Sequence, residues 1–392
     1  LYTNTSAIRE EEAASGLGRG WKWDLPHIQK QDGKRYLYIP GTGSYELRDD
    51  LQLEGYAYKD LKISTDQSVS VQGVSSAYKI SVLNGNDYYL DQDGYLILIQ
   101  DAYKNRVEFD YTSSGGAKLI RSIRNSDGRE LDFTYNAGQL VVKEQGTDHQ
   151  YTYRQSGEGS SKVLSEVLDS LSRSTSYAYT FMDAPFNVVI DGEGKTGALK
   201  PNETALLTRI VRPTSSITDI RYEAYNKHIG VYGTQGVFKV ASRADMYSTT
   251  AGDRFLNKID FAYSGEDLAS YGKNAEWTVV AKGTRTTETF HFGKVFRGDN
   301  TPDKLVLNRY DQEGDSTGYH INYTYNEAMD WNLPVQMQES YTEGGSSSES
   351  VTTSYDYNEY GLPLKVSQST GLETVHTYKT SSEPFFWVQP SQ

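Results

Sequence analysis

Six histidines, 52 carboxylates and one glycine-rich loop are the groups in this 392-residue sequence whose types could do chemistry. The loop Asp191-Gly192-Glu193-Gly194-Lys195-Thr196 comes after the apolar run Val188 to Ile190 as a phosphate-binding loop comes after its strand. Such a loop needs a glycine five residues before Gly194, where Val189 stands, and a helix to hold the phosphate, which Gly197 and Pro201 would interrupt. His27, His149, His228, His291, His320 and His376 are scattered, with no pair at metal-ligand spacing. Asp87, Asp91 and Asp93, with Gly94, resemble a calcium loop in type, but no distal glutamate completes it, and a hairpin turn is the simpler reading. Carboxylate pairs for glycoside hydrolysis have many candidates and nothing that singles one out. No GxSxG elbow is present, and zero cysteines remove thiol nucleophiles, disulfides and Cys-ligated zinc. The residues therefore assign no catalytic group, no metal and no cofactor, and the chain is expected not to be an enzyme.

Charge and composition narrow the partners. A net charge of −13 argues against nucleic acid and anionic membranes. No run of eighteen apolar residues suggests membrane insertion by this segment. The 32 tyrosines outnumber the 12 phenylalanines and 4 methionines, which favours an extended β surface, apolar at its base and wet at its rim, over a dry core rich in leucine.

The elements that must carry these residues are set by a spacing that recurs five times. Ile99 has Leu96 three residues before it, Phe109 ten after and Tyr111 twelve after. Ile123 repeats this with Ile120, Phe133 and Tyr135; Val167 with Leu164, Tyr177 and Tyr179; Ile210 with Leu207, Ile220 and Tyr222; and Val366, loosest, with Pro363, His376 and Tyr378. The anchor ends a short apolar strand, turn residues come next, and a second strand alternates up to the tyrosine, so each unit reads as a β-hairpin. Side chains at plus ten and plus twelve share a face, and one hairpin cannot bury it alone, so the units must stack.

Along the chain, residues 1–95 read as an irregular β segment with a Gly/Trp-rich opening, and 96–392 as the hairpin-repeat region, irregular over 223–303. The stretch IREEEAA is expected to be a solvated loop, the residues from Trp21 to form a strand with large alternating side chains and Pro26 at its edge, and Leu51 to Leu53 to form a short strand. Leu256, Ile259, Phe261 and Tyr263 leave no room for a turn and suggest longer strands.

Ser354-Tyr355-Asp356-Tyr357-Asn358-Glu359-Tyr360-Gly361-Leu362-Pro363 resembles the tyrosine-aspartate repeat of the RHS/YD-repeat proteins. Ile123-Arg124-Asn125-Ser126-Asp127-Gly128-Arg129 with Phe133-Thr134-Tyr135 is similar to it too, and Gly16-Leu17-Gly18-Arg19-Gly20-Trp21 resembles the stretch that precedes such repeats. The Ile99, Val167 and Ile210 units depart from the pattern by lacking the turn glycine. The resemblance implies an all-β fold of antiparallel hairpin repeats forming a curved strip, part of a hollow spiral shell around a C-terminal toxic domain. Its partners would be the remainder of that shell and the enclosed toxin, and its location secreted or cell-surface. The chain reads as an N-terminal part of such a shell, with any self-cleaving site outside it. The alternatives are a carbohydrate-binding or adhesive β module on a bacterial surface and, behind it, a glycan-degrading enzyme.

Overall fold

The structure is a computed structural model that describes residues 1–3, 15–31, 33–54, 56, 60–83, 85–114, 117–157, 162–184, 186–189, 196–198, 202–228, 233–250, 252–265, 277–296, 302–326, 333–344, 346–347, 350–358 and 361–378. The IREEEAA stretch and Asp191 to Lys195 of the glycine-rich loop lie outside the described residues. The chain is all-β, and no α-helix occurs among the described residues. It divides into two compact units, Leu1–Tyr177 and Ala178–Tyr378.

In the first unit the strands are β1 (His27–Gln31), β2 (Lys34–Ile39), β3 (Gly43–Leu47), β4 (Leu61–Thr65), β5 (Ser70–Val71), β6 (Val74–Ser75), β7 (Tyr78–Val82) and β8 (Asp87–Leu90). Next come β9 (Leu96–Gln100), β10 (Arg106–Ser114), β11 (Ala117–Asn125), β12 (Glu130–Asn136), β13 (Gln139–Glu144), β14 (Gln150–Ser156), β15 (Val163–Leu168) and the start of β16 (Ser174–Ala184). β1 to β3 make a small antiparallel sheet, β5 and β6 a two-stranded one, and β4 with β7 to β16 pair in chain order as the main sheet. Turn residues at short intervals allow only antiparallel neighbours, and every pairing in this ladder among the described residues is of that kind.

The second unit continues with β17 (Phe186–Val189), β18 (Thr196–Ala198), β19 (Asn202–Val211), β20 (Ser216–His228), β21 (Gly233–Thr249), β22 (Gly252–Gly265), β23 (Trp277–Lys282) and β24 (Thr287–Phe296). It ends with β25 (Pro302–Glu313), β26 (Thr317–Tyr325), β27 (Pro334–Glu343), β28 (Ser346–Ser347), β29 (Val351–Tyr357), β30 (Pro363–Gln368) and β31 (Glu373–Val375). The region of irregular spacing holds the longest strands: Leu256, Ile259, Phe261 and Tyr263 all lie on β22, and β21 spans 17 residues.

Two local expectations are corrected. The residues from Trp21 to Pro26 form no strand; Trp21 makes one bridge to Tyr2, and the first strand begins only at His27, after Pro26. The indoles turn onto the main sheet instead, where Trp21 and Trp23 pack against a core of Leu17, Ile120, Phe133, Leu140 and Val142. Leu51 is a turn residue with φ of 64°, and only Leu53 bridges, to Leu47.

Gly18 explains the glycines of that opening. A Cβ there would lie 2.9 Å from the Leu164 backbone nitrogen, and the adjoining Arg19 amide donates to the Lys162 carbonyl at 2.8 Å. Only glycine lets the segment lie flat on the sheet end.

Candidate functional site

The recurrent tyrosine has a geometric job. In seven hairpins among the described residues, its hydroxyl donates to a backbone carbonyl on the other strand of the hairpin: Tyr111 to Leu96 at 2.7 Å, Tyr135 to Ile120 at 3.0 Å, Tyr222 to Leu207 at 3.0 Å and Tyr263 to Val240 at 2.8 Å. Tyr325 to Leu307 at 2.7 Å, Tyr357 to Pro334 at 2.7 Å and Tyr378 to Pro363 at 2.9 Å complete the set. The placement relative to the ladder is constant. The ladder of each hairpin ends at a pair such as Leu98 with Glu108, Ser122 with Asp132 or Ser242 with Asp260. The tyrosine stands three residues beyond that pair on one strand, and the acceptor two residues before it on the other.

The cause is a β-bulge. Ile97, Arg121, Ala241, Asn308, Val335 and Leu364 are each the extra residue of a register shift, and each directly succeeds one of these acceptors. A bulge turns the strand away from its neighbour and interrupts the ladder. The tyrosine ring spans the opening between the diverging strands, and its O–H satisfies the carbonyl. Burial pushes the phenols of Tyr135, Tyr222 and Tyr325 up to about 12 and that of Tyr111 higher still, so they remain donors at any ordinary pH.

The anchors begin the turns. Two residues after Ile99, Ile123, Val167, Ile210 and Val366 stand Asp101, Asn125, Asp169, Arg212 and Gln368. Each donates its amide to the carbonyl four residues on and accepts from the amide three residues on. The Oδ1 atoms of Asp101, Asn125 and Asp169 also accept two backbone amides each. The Asn105 side-chain amide first, and then the backbone amides, lower the Asp101 carboxyl, and the Arg173 backbone amide leads in lowering that of Asp169. The fourth residue of every such turn is left-handed. Gly128 and Gly371 occupy it in two units, but Lys104, Ser172 and Ser215 adopt φ of 70°, 60° and 61° in the units that lack the glycine. The departure from the repeat pattern is thus in residue type and leaves the turn geometry intact. Because an L-residue pays for this conformation, Ser172→Gly is expected to raise stability by about 0.5–1 kcal/mol in urea unfolding. No gain would mean the Ser172 backbone is not strained.

Phe109 and Phe133 are buried, and Phe133 meets the edge of Trp23 at 5.7 Å. Ile123 sits between them in the ladder, paired with Phe109 and Leu131; Ile99 pairs with Val107, Val167 with Tyr153, Ile210 with Thr218, and Val366 with Tyr355. Tyr177 meets Trp21 at 5.1 Å, and Tyr179 lies further along β16.

The calcium-like acids form a turn with its own cation. The Lys118 ammonium lies 2.8 Å from Asp91 and 2.6 Å from Asp93, while Asp87 pairs with Lys79 at 2.9 Å. Beside Lys118 is a cleft of about 610 Å³ whose lining includes Trp23, His27, Lys30, Tyr36 and Tyr95.

Residue spacing alone does not reveal the buried carboxylate of Asp311, which accepts from Arg309 Nε at 2.8 Å and meets His320 Nδ1 at 2.7 Å and His291 Nε2 at 3.1 Å. Antiparallel register assembles it: His291 pairs with Arg309, and Asp311 with His320. Burial acts to raise this carboxyl, but the bonds from Arg309 and His320 outweigh it and hold it below the usual range. The stabilisation is full above the unfolded carboxyl pKa of about 3.9 and is lost as pH falls through the lower folded value. The stability gap between the native chain and Asp311→Asn should therefore shrink below pH 4 in denaturant titrations. A gap that stays constant from pH 6 to pH 2.5 would contradict this origin. Among the described residues no group of acids and histidines is placed to share a metal ion.

Fold and site together define an all-β repeat protein of antiparallel hairpins, seven of them among the described residues closed by a turn at one end and a tyrosine clamp at the other. No family model and no curated protein matches the chain. Among solved structures, it is similar to a chain of a Photorhabdus luminescens Tc holotoxin pore with a mutant TccC3, at 9% identity and a TM-score of 0.22, over 89% of this chain and 22% of that one. A TcdB2-TccC3 crystal structure matches at 11% identity and a TM-score of 0.25, over 92% and 21%. The chain spans about a fifth of the length of these matches. Values this low lend no weight to any function.

Proposed function

We propose that this chain is a wall segment of an RHS/YD-repeat shell that encloses a C-terminal toxic domain of the same protein, outside the producing cell or on its surface. The observation that carries this reading is the tyrosine clamp, recurring seven times at one offset from the ladder. Its effect is to hold diverging strands at fixed spacing, which suits a wall and contributes nothing to bond making. The wall acts sterically and requires no catalytic group of its own. Limited proteolysis of the whole natural protein tests the reading. The enclosed domain is expected to resist cleavage until clamp substitutions such as Tyr135→Ala loosen the wall. Equal cleavage with intact and loosened walls would refute enclosure.

A glycan-binding module is the second reading, favoured by the aromatic and polar cleft beside Lys118. It requires saturable oligosaccharide binding by the isolated chain that Trp23→Ala abolishes.

A further inference from the structure

The two faces of the β24–β27 sheet in the second unit are charged differently. One face carries Asp311 with Arg309 and both histidines, so its buried acid is matched by a cation. The other carries a ladder of rings: Phe290, Tyr310, Tyr319 and Tyr341, one from each strand, with successive centroids 5.1, 6.3 and 4.7 Å apart. Direct register pairs Phe290 with Tyr310 and Tyr319 with Tyr341, and the pairing of Tyr310 with Ile321 and Gln312 with Tyr319 puts the two pairs on one face.

Two of these rings are locked by carboxylates. Tyr310 donates to Glu288 at 3.0 Å and Tyr319 donates to Glu339. Neither glutamate forms an ion pair with a lysine or arginine among the described residues, unlike Glu46, Glu144 and Glu166 elsewhere in the chain. Their charge is felt by the phenols: burial first and then Glu288 push Tyr310 up to about 12, and Glu339 acts likewise on Tyr319. Tyr341, at the end of the ladder, is 57% exposed.

We propose that this ladder is a docking face for an arginine-rich polypeptide segment. A guanidinium is flat enough to stack on a tyrosine and forks onto a carboxylate, so it answers both the rings and the unmatched charges of Glu288 and Glu339. A neutral sugar would stack equally well but would leave both charges unmatched. Four strands about 4.8 Å apart present a track of roughly four extended residues, which calls for a segment more than a single side chain. The docking face lies wholly in the second unit and stands or falls apart from the shell reading.

The test is fluorescence anisotropy of a labelled hexa-arginine peptide titrated with the full chain, alongside a neutral oligosaccharide. Saturable peptide binding is expected, weakened about tenfold by Glu288→Gln with Glu339→Gln and about fivefold by Tyr341→Ser. The control pair Glu130→Gln with Asp148→Asn removes the same charge from the first unit and should leave binding within about twofold. Melting curves of each variant confirm that the fold persists, and Tyr341→Ser changes a mostly exposed ring. Equal weakening by the control pair would reduce the effect to bulk charge and overturn the proposal. So would absence of saturable binding, or oligosaccharide binding that Tyr341→Ser abolishes and the glutamine pair does not.

Discussion

Replacing Tyr111 and Tyr135 together by alanine is expected to unfold the first unit or bring it to the edge of unfolding. Each ring fills the opening behind a bulge and packs against the core around Leu17 and Phe133. Removal of a large aromatic side chain from such a site costs about 3–5 kcal/mol. Domain stabilities run to about 5–15 kcal/mol, so two such losses approach or exceed the reserve. The two sites are coupled, because Tyr111 pairs with Ile120, whose carbonyl accepts the Tyr135 hydroxyl. The losses should therefore not simply add.

The hydroxyl can be separated from the ring. Tyr135→Phe keeps the packing and leaves the buried Ile120 carbonyl without its donor, a cost of about 1–2 kcal/mol, or roughly 3–6 °C in melting temperature for a unit of this size. Tyr151→Phe is the matched control, since that tyrosine is half exposed and makes no clamp. If the double alanine variant melts unchanged, the clamp does not hold the sheet. If Tyr135→Phe and Tyr151→Phe cost the same, the hydroxyl is not what matters.

Half of this device is legible in the sequence. The tyrosine shows because residue type and turn chemistry are local, and an anchor-to-tyrosine spacing of twelve is what a hairpin with a three-pair ladder requires. The acceptor is visible only as a large apolar residue, Leu96, Ile120 or Leu207, because a carbonyl belongs to every residue type. Pro334 and Pro363 serve equally well, having no amide to leave unpaired. Spacing also hides the clamps in longer hairpins. Tyr263 lies 23 residues after Val240, and Tyr325 lies 18 after Leu307, since more ladder pairs intervene, although the offset from the ladder end is unchanged.

Bulges account for the region of irregular spacing. The extra residues Ala241 and Leu256 break the alternation on β21 and β22, so period-two reading loses the face halfway along each strand. Lys104, Ser172 and Ser215 are opaque for another reason. Nothing in their side chains announces a left-handed backbone; the turn imposes it. The Asp311 cluster needs the register, which places His320 beside an acid nine residues away on the adjoining strand.

Gly94→Ala should cause the largest loss of any single glycine substitution in these turns. Gly94 holds the left-handed position of the Asp91 turn with φ of 92°, as Gly128 does in the Asn125 turn with φ of 82°. An added Cβ at Gly128 meets nothing within 4 Å, so Gly128→Ala pays only for the backbone, about 1–2 kcal/mol. At Gly94 the Cβ would sit 2.2 Å from the Ile28 carbonyl oxygen and 2.8 Å from its Cβ. Neither atom is the end of a flexible side chain, so the turn or β1 must move. Movement breaks the 2.9 Å bond from the Ile28 amide to the Gly94 carbonyl and lifts Ile28 from its core with Leu37, Leu47, Ile80 and Leu90. Overpacking of this kind adds about 1–3 kcal/mol, for a total of about 2–5 kcal/mol. Amide exchange gives the sharper readout: β1 to β3 should lose protection in Gly94→Ala while β11 to β13 keep theirs, and the reverse should hold in Gly128→Ala. Equal losses in the two variants, with no preference for the small sheet, would show that the contact with Ile28 is not what seats that sheet on the Asp91 turn.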